Sequence, residues 1–138
     1  ALKVVDVDGL SRFSLGSHRK NLSEKQLKEY TRVFRLFFAK NISSRLQNYS
    51  DQNIKVVGSK KINENYVMVK SKMTSKIDMQ EIKIDWRVFK IKEKLVIRDL
   101  VIEGLSLAKT QREEFNSIFL SKGFEGLMAS LNDFISKN

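Results

Sequence analysis

Apolar positions recur along this chain with two distinct periods. Leu27, Tyr30, Phe34, Phe37, Phe38, Ile42, Leu46 and Tyr49 keep the three- and four-residue spacing of one helical face. Ser23 with Gln26 three residues on forms a capping box, and Glu24 suits the first turn, so the spacing predicts one long helix over 23–49. Before it, Leu10, Phe13 and Leu15 fit a short helix that Gly16 would stop. After it come four strand-like runs: NIKVVGSKKI, NYVMVKSKMT, MQEIKIDWRVFKIK and KLVIRDLVIEGLSL. In the third, Ile82, Ile84, Trp86 and Val88 alternate with Lys83, Asp85 and Arg87, giving one apolar and one polar face. In the fourth, Leu100, Val101 and Ile102 are consecutive, so its second face should be covered as well. Two helices end the chain. Thr110 is the expected N-cap of the first, with Glu113 and Glu114 early and Gly123 after its end. The second carries Leu127, Met128, Leu131, Phe134 and Ile135 on one side.

The breaks between strands are short and polar: Asn63-Glu64-Asn65, Ser75 to Asp78, and Glu93-Lys94. Such breaks suit hairpins, whereas parallel strands need long crossovers. The expected fold is α+β: a four-stranded antiparallel meander, curved, with helices packed on it. No repeat, low-complexity tract or linker interrupts it, so residues 1–138 read as a single domain. No apolar run approaches the ~18 residues of a membrane span.

Charge changes the picture more than size does. A net charge of +10 favours anionic partners, whether nucleic acid, lipid surface or acidic protein. The excess of Lys over Arg argues against base reading, and no RNP-like motif is present. Without cysteine there is neither a disulfide nor a thiolate metal site. The single histidine, His18, lies in the basic turn SHRK with no nearby carboxylate. Ser106 lacks the G-x-S-x-G elbow and a histidine partner. Asp85, Asp99 and Glu103 could form a carboxylate pair, but Arg87, Arg98 and lysines lie close enough to neutralise them. These residues do not make a catalytic set, and the chain reads as a non-enzyme without metal or cofactor.

What remains is surplus apolar surface. Val33, Phe34, Leu36, Phe37 and Phe38 spread around more than half of the long helix, where an apolar stripe of roughly 100° would suffice for one sheet. Burial by several neighbours accounts for this, and so does an apolar chamber filled by a ligand. An acyl chain of about 16 carbons would gain on the order of 0.8 kcal/mol per methylene, far above the ~0–1 kcal/mol of an exposed charge pair. Tails would dominate affinity and headgroups would be weakly discriminated.

The stretch RDLVIEGLSLAKTQREEFNSIFLSKGFEGLMASL resembles the MlaC family, the toluene-tolerance or ABC-transporter auxiliary proteins. The resemblance rests on Asp99, on Glu103-Gly104-Leu105-Ser106, on Arg112 and Phe115, and on Gly123-Phe124-Glu125-Gly126-Leu127. Upstream, SRFSLGSHRKNLSEKQLKEYTRVF and IKIDWRVF match in the same order, while Ser17 and His18 stand where the family usually has aromatics. The resemblance implies an NTF2-like, MlaC-like architecture enclosing an apolar cavity. It also implies a monomeric periplasmic carrier whose bound ligand is phospholipid. Its partners would be an inner-membrane MCE-domain ABC transporter complex and an outer-membrane lipoprotein–porin complex, in a system that maintains outer-membrane lipid asymmetry. The resemblance implies a signal segment ahead of these residues and a first helix that is absent or shortened here. Asp99, Glu103 and Arg112 become structural ion-pair or cap residues, and Gly104 permits a tight strand-to-helix turn. The expected lipid contacts are Phe34, Phe37 and Phe38 from the long helix, then Ile84, Trp86, Val88, Leu100 and Ile102 from the sheet. Leu105, Leu107, Phe119, Leu127 and Leu131 complete the set. The alternative reading is a basic, non-catalytic binding module for an acidic protein or nucleic acid.

Overall fold

The computed structural model describes residues 5–47 and 49–137, with the side chains of 49–53 outside the description. Two compact units emerge: residues 1–6 with 43–107, and residues 7–42 with 108–138.

The first unit is an antiparallel sheet in the order β1 (Tyr49–Asn63), β2 (Tyr66–Ser75), β3 (Glu81–Ile91), β4 (Lys94–Ile102) and β5 (Leu105–Ser106). The expected meander is present, with a fifth strand added. Two residues are too few to show a period, which hid β5 in the sequence. Glu103 (φ 50) and Gly104 (φ 84) make the two-residue turn that pairs Ile102 with Leu105. Positive φ at both central positions marks a type I′ hairpin turn. Gly104 therefore closes a hairpin, and the helix begins three residues later, at Leu107. Lys92 (φ 48) and Glu93 (φ 67) close the β3–β4 hairpin in the same way.

The apolar run of β4 has a specific cause. Arg87 pairs with Asp99 but Val88 pairs with Ile97, so Arg98 is an extra residue. A bulge shifts every later side chain to the opposite face. Leu95 and Ile97 on one side of it, and Leu100 and Ile102 on the other, thereby share the face of Ile84 and Trp86. Val96 and Val101 are left on the other face, both half-buried. β1 forms the outer edge of the sheet, with Val56, Val57 and Ile62 exposed among Lys55, Lys60 and Lys61. At the start of the chain Val5 bridges Ile97, the Asp6 amide donates to the Ile97 carbonyl (2.8 Å), and Asp6 meets Arg98 at 3.3 Å.

The second unit is helical. α1 (Val7–Leu15) is followed by a 3-10 helix (Gly16–Asn21), α2 (Glu24–Arg45) and α3 (Leu107–Ser136), the last beginning at the edge of the sheet unit. The capping box is as read: the Gln26 amide donates to Ser23 Oγ (3.1 Å), and Gln26 Oε1 accepts from the Ser23 amide (2.9 Å). α2 ends at Arg45 and Tyr49 begins β1 rather than extending the helix. Ser43 and Ser44, both exposed, lower helix propensity at that point. The two predicted C-terminal helices are the halves of α3, divided at Gly123 (φ 69, ψ −172). α3 starts at Leu107, three residues before the expected Thr110 cap and directly after β5.

Candidate functional site

Each unit concentrates apolar side chains on one side. In the sheet, Met73, Ile84 and Leu100 are buried, while Trp86, Val88 and Ile102 are half-buried. Register explains the grouping: Ile84 sits opposite Ile102, Trp86 opposite Leu100, and Met73 opposite Ile82. Polar side chains also belong to this face, Ser71 among them. Ser71 is buried, donates its hydroxyl to the Ile84 carbonyl (2.8 Å) and accepts from Trp86 Nε1 (2.8 Å). The indole is thus held at its polar end while its rings remain part of the apolar face.

In the helical unit the cluster is aromatic. Phe34 lies 5.8–6.3 Å, centroid to centroid, from Tyr30, Phe37, Phe38 and Phe115. Phe37 also meets Phe115 at 5.5 Å and Phe134 at 5.1 Å. Leu127 and Leu131 are buried, as is Leu107 at the opening of α3. Phe119 is half-buried and stacks on the His18 ring at 4.1 Å. Leu105 differs from the others in being 70% exposed at the β4–β5 turn. The sequence-expected contacts thus divide into a sheet set and a helical set, with Leu105 apart.

The polar residues of the family-like motif hold structure. Buried Asp99 accepts from the Leu100 amide (2.8 Å) through Oδ1 and from the Ser106 hydroxyl through Oδ2, and Arg87 Nε lies 3.9 Å away. Glu103 Oε1 accepts from the Lys83 amide (3.1 Å), and the Glu103 amide donates to the Lys83 carbonyl (2.8 Å). Arg112 lies over the Phe13 ring at 4.8 Å. A Cβ on Gly16 would come within 3.0 Å of Arg112 Nε, so the glycine (φ +56) serves both the turn and this close approach. His18 Nε2 contacts Asn116 Oδ1 at 2.6 Å, a neutral partner the sequence did not indicate. Lys40 Nζ donates to the Phe134 (2.7 Å) and Ile135 (3.1 Å) carbonyls, satisfying the C-terminal end of α3.

Among the described residues no group of three or more His, Cys, Asp or Glu side chains could hold a metal ion. No helix among them is long and apolar enough to cross a membrane.

Residues 1–133 match the family profile described as MlaC protein. The chain belongs to the MlaC family. The five strands, the β4–β5 hairpin and the break at Gly123 in the C-terminal helix of this MlaC chain all fall within the matched residues. No curated protein is significantly similar to it in sequence. Among solved structures, it is similar to a phospholipid-binding protein from Ralstonia solanacearum determined in complex with a phospholipid. The TM-score is 0.79 at 17% identity, covering 98% of the MlaC chain and 75% of the other. At that identity the likeness establishes the fold.

The sequence reading missed one feature of the helical unit. Lys28, Arg32 and Arg35 recur at helical spacing on the exposed side of α2, opposite to Phe34 and Phe37. That spacing was available in the sequence but was masked by the general scatter of basic residues.

Proposed function

We propose that this MlaC-family chain is a periplasmic phospholipid carrier that moves lipid between outer-membrane and inner-membrane complexes. Its donor and acceptor would be a lipoprotein–porin complex and an MCE-domain ABC transporter. The family membership carries the reading, and the solved neighbour's bound phospholipid supports it. Acyl tails contact Ile84, Trp86, Val88, Leu100 and Ile102 in the sheet unit. In the helical unit they contact Phe34, Phe37, Phe38, Phe119, Leu127 and Leu131, with Leu105 and Leu107 between the two stretches of sequence. Burying methylenes at about 0.8 kcal/mol each makes the tails the main source of affinity. No covalent chemistry is required, and the motif carboxylates Asp99 and Glu103 are already engaged in structural hydrogen bonds.

Native mass spectrometry of the protein as purified, with solvent extraction, tests this directly: a diacyl lipid is expected at one per chain. A protein that emerges free of lipid and takes none from vesicles would end the carrier reading. Phe37→Asp and Trp86→Asp, each checked for folding by circular dichroism, are expected to retain at most about a tenth of the lipid, since a charge against an alkyl chain is strongly disfavoured. Full retention in both folded variants would show that the tails lie elsewhere.

A further inference from the structure

The helical unit carries a second feature that the proposed lipid carriage does not use. Between α1, the 3-10 helix and the exposed side of α2 lies a cleft of about 360 Å³. That is within the range of roughly 300–1,000 Å³ usual for small-molecule sites. Five of its ten lining residues are cationic and none is acidic. Two of the five are committed. Arg35 makes a bidentate pair with Asp8 (2.9 Å for each hydrogen bond), and Arg32 pairs with Glu29 at 2.6 Å. The side chains of the other three, Arg12, Arg19 and Lys28, have no ion-pair or hydrogen-bond partner among the described residues. Three uncompensated positive charges therefore converge on one concavity.

The rest of the lining narrows what can bind. Leu15 is buried and Leu27 is half-buried, which gives the cleft an apolar floor. The hydroxyl groups are already used: Ser11 donates to the Asp8 carbonyl (2.8 Å), Thr31 to the Leu27 carbonyl (2.8 Å), and Tyr30 is bonded to Ser14 (2.5 Å). Recognition is left to guanidinium and ammonium groups. Such groups select a compact oxyanion with several acceptor oxygens, which arginine engages through two parallel hydrogen bonds. A neutral sugar or a carboxamide would find few free hydroxyl donors or acceptors here.

We propose that this cleft binds a phosphate-bearing anion, held by Arg12, Arg19 and Lys28. Inorganic phosphate and the phosphodiester of a glycerophospholipid headgroup share the chemistry required. The three anchoring cations are set apart from the proposed tail contacts: Arg12 belongs to α1, Arg19 to the 3-10 helix and Lys28 to the solvent side of α2.

Isothermal titration of the whole chain with inorganic phosphate and with glycerol 3-phosphate, at low ionic strength, reads the site. Saturable one-to-one binding is expected below about 10 mM, weakening as salt is added. Arg19→Gln with Lys28→Gln should weaken it by about tenfold or more. Lys55→Gln with Lys60→Gln, which removes the same charge from β1, should leave it unchanged. Arg12→Gln alone provides a second reading should the double variant misfold. Absence of saturable binding, or equal weakening by the β1 pair, would overturn the proposal. Flotation with phosphatidylglycerol vesicles separates the two sources. Loss of vesicle binding in the cleft variants assigns the site to lipid headgroups, and unchanged vesicle binding assigns it to free phosphate. Lipid retention, measured on the same variants, is expected to stay intact, so failure of this site would not count against the carrier reading.

Discussion

Tyr30 shows how much one side chain of α2 is asked to do. It is buried, its ring lies 5.8 Å from Phe34, and its phenol is bonded to Ser14 of α1. Burial raises the phenol well above its ordinary value near 10, and the Ser14 hydrogen bond only partly offsets this. A folded-state pKa above the unfolded one means that the stabilisation is complete below pH 10. It is lost as pH rises further, because the unfolded chain ionises first. Urea unfolding is therefore expected to weaken above about pH 10, by up to ~1.4 kcal/mol per pH unit from this group. Tyr30→Phe should be less steep over that range than the parent. An unaltered slope would assign the alkaline sensitivity to other residues. At this scale the sequence was half legible. The periodicity picked out Tyr30, Phe34 and Phe37 as one face, because spacing alone fixes which residues share a side of a helix. Partners distant in sequence, such as Ser71 for Trp86 or Asn116 for His18, depend on the three-dimensional arrangement and left no local trace.

Elements were legible where they are long and periodic. α2, β2 and β3 were located from spacing, and the Ser23–Gln26 box set one end of α2 correctly. The other end was overrun because Leu46 and Tyr49 continue the helical spacing by coincidence, while Tyr49 takes up strand pairing with Ser75. β5 and the β4 bulge escaped for a related reason: each is a departure from a period. The break in α3 was legible as glycine, and its geometry gives the residue a definite role. At φ 69 and ψ −172 Gly123 occupies a region that is essentially closed to residues bearing a Cβ. Gly123→Ala is expected to cost about 1–3 kcal/mol in urea unfolding, although open space surrounds the missing Cβ. A neutral result would mean that the two halves of α3 can straighten without loss. Gly104→Ala, at φ 84 in the type I′ turn, should cost about 1–2 kcal/mol by the same backbone penalty.

For the whole molecule, the family match places an α+β chain with a large apolar inventory and a charge of +10 among the MlaC proteins. If tails occupy its apolar side chains, the native state is linked to lipid by mass action. Stripping the lipid should lower the unfolding free energy by about 2.7 kcal/mol for ligand present at a hundred times its dissociation constant. Thermal melts before and after extraction would measure this, and coincident curves would mean that the folded chain is equally content empty. The long outer strand bears on how such a protein survives at high concentration. β1 exposes Val56, Val57 and Ile62 on a sheet edge with no neighbouring strand among the described residues, which is the usual template for strand addition between chains. Lys55, Lys60 and Lys61 are interspersed there, so a second copy approaching edge to edge would bring ammonium groups against ammonium groups. Repulsion of this kind opposes fibril-like self-pairing along β1, a gatekeeping role that the basic surplus has without touching any ligand.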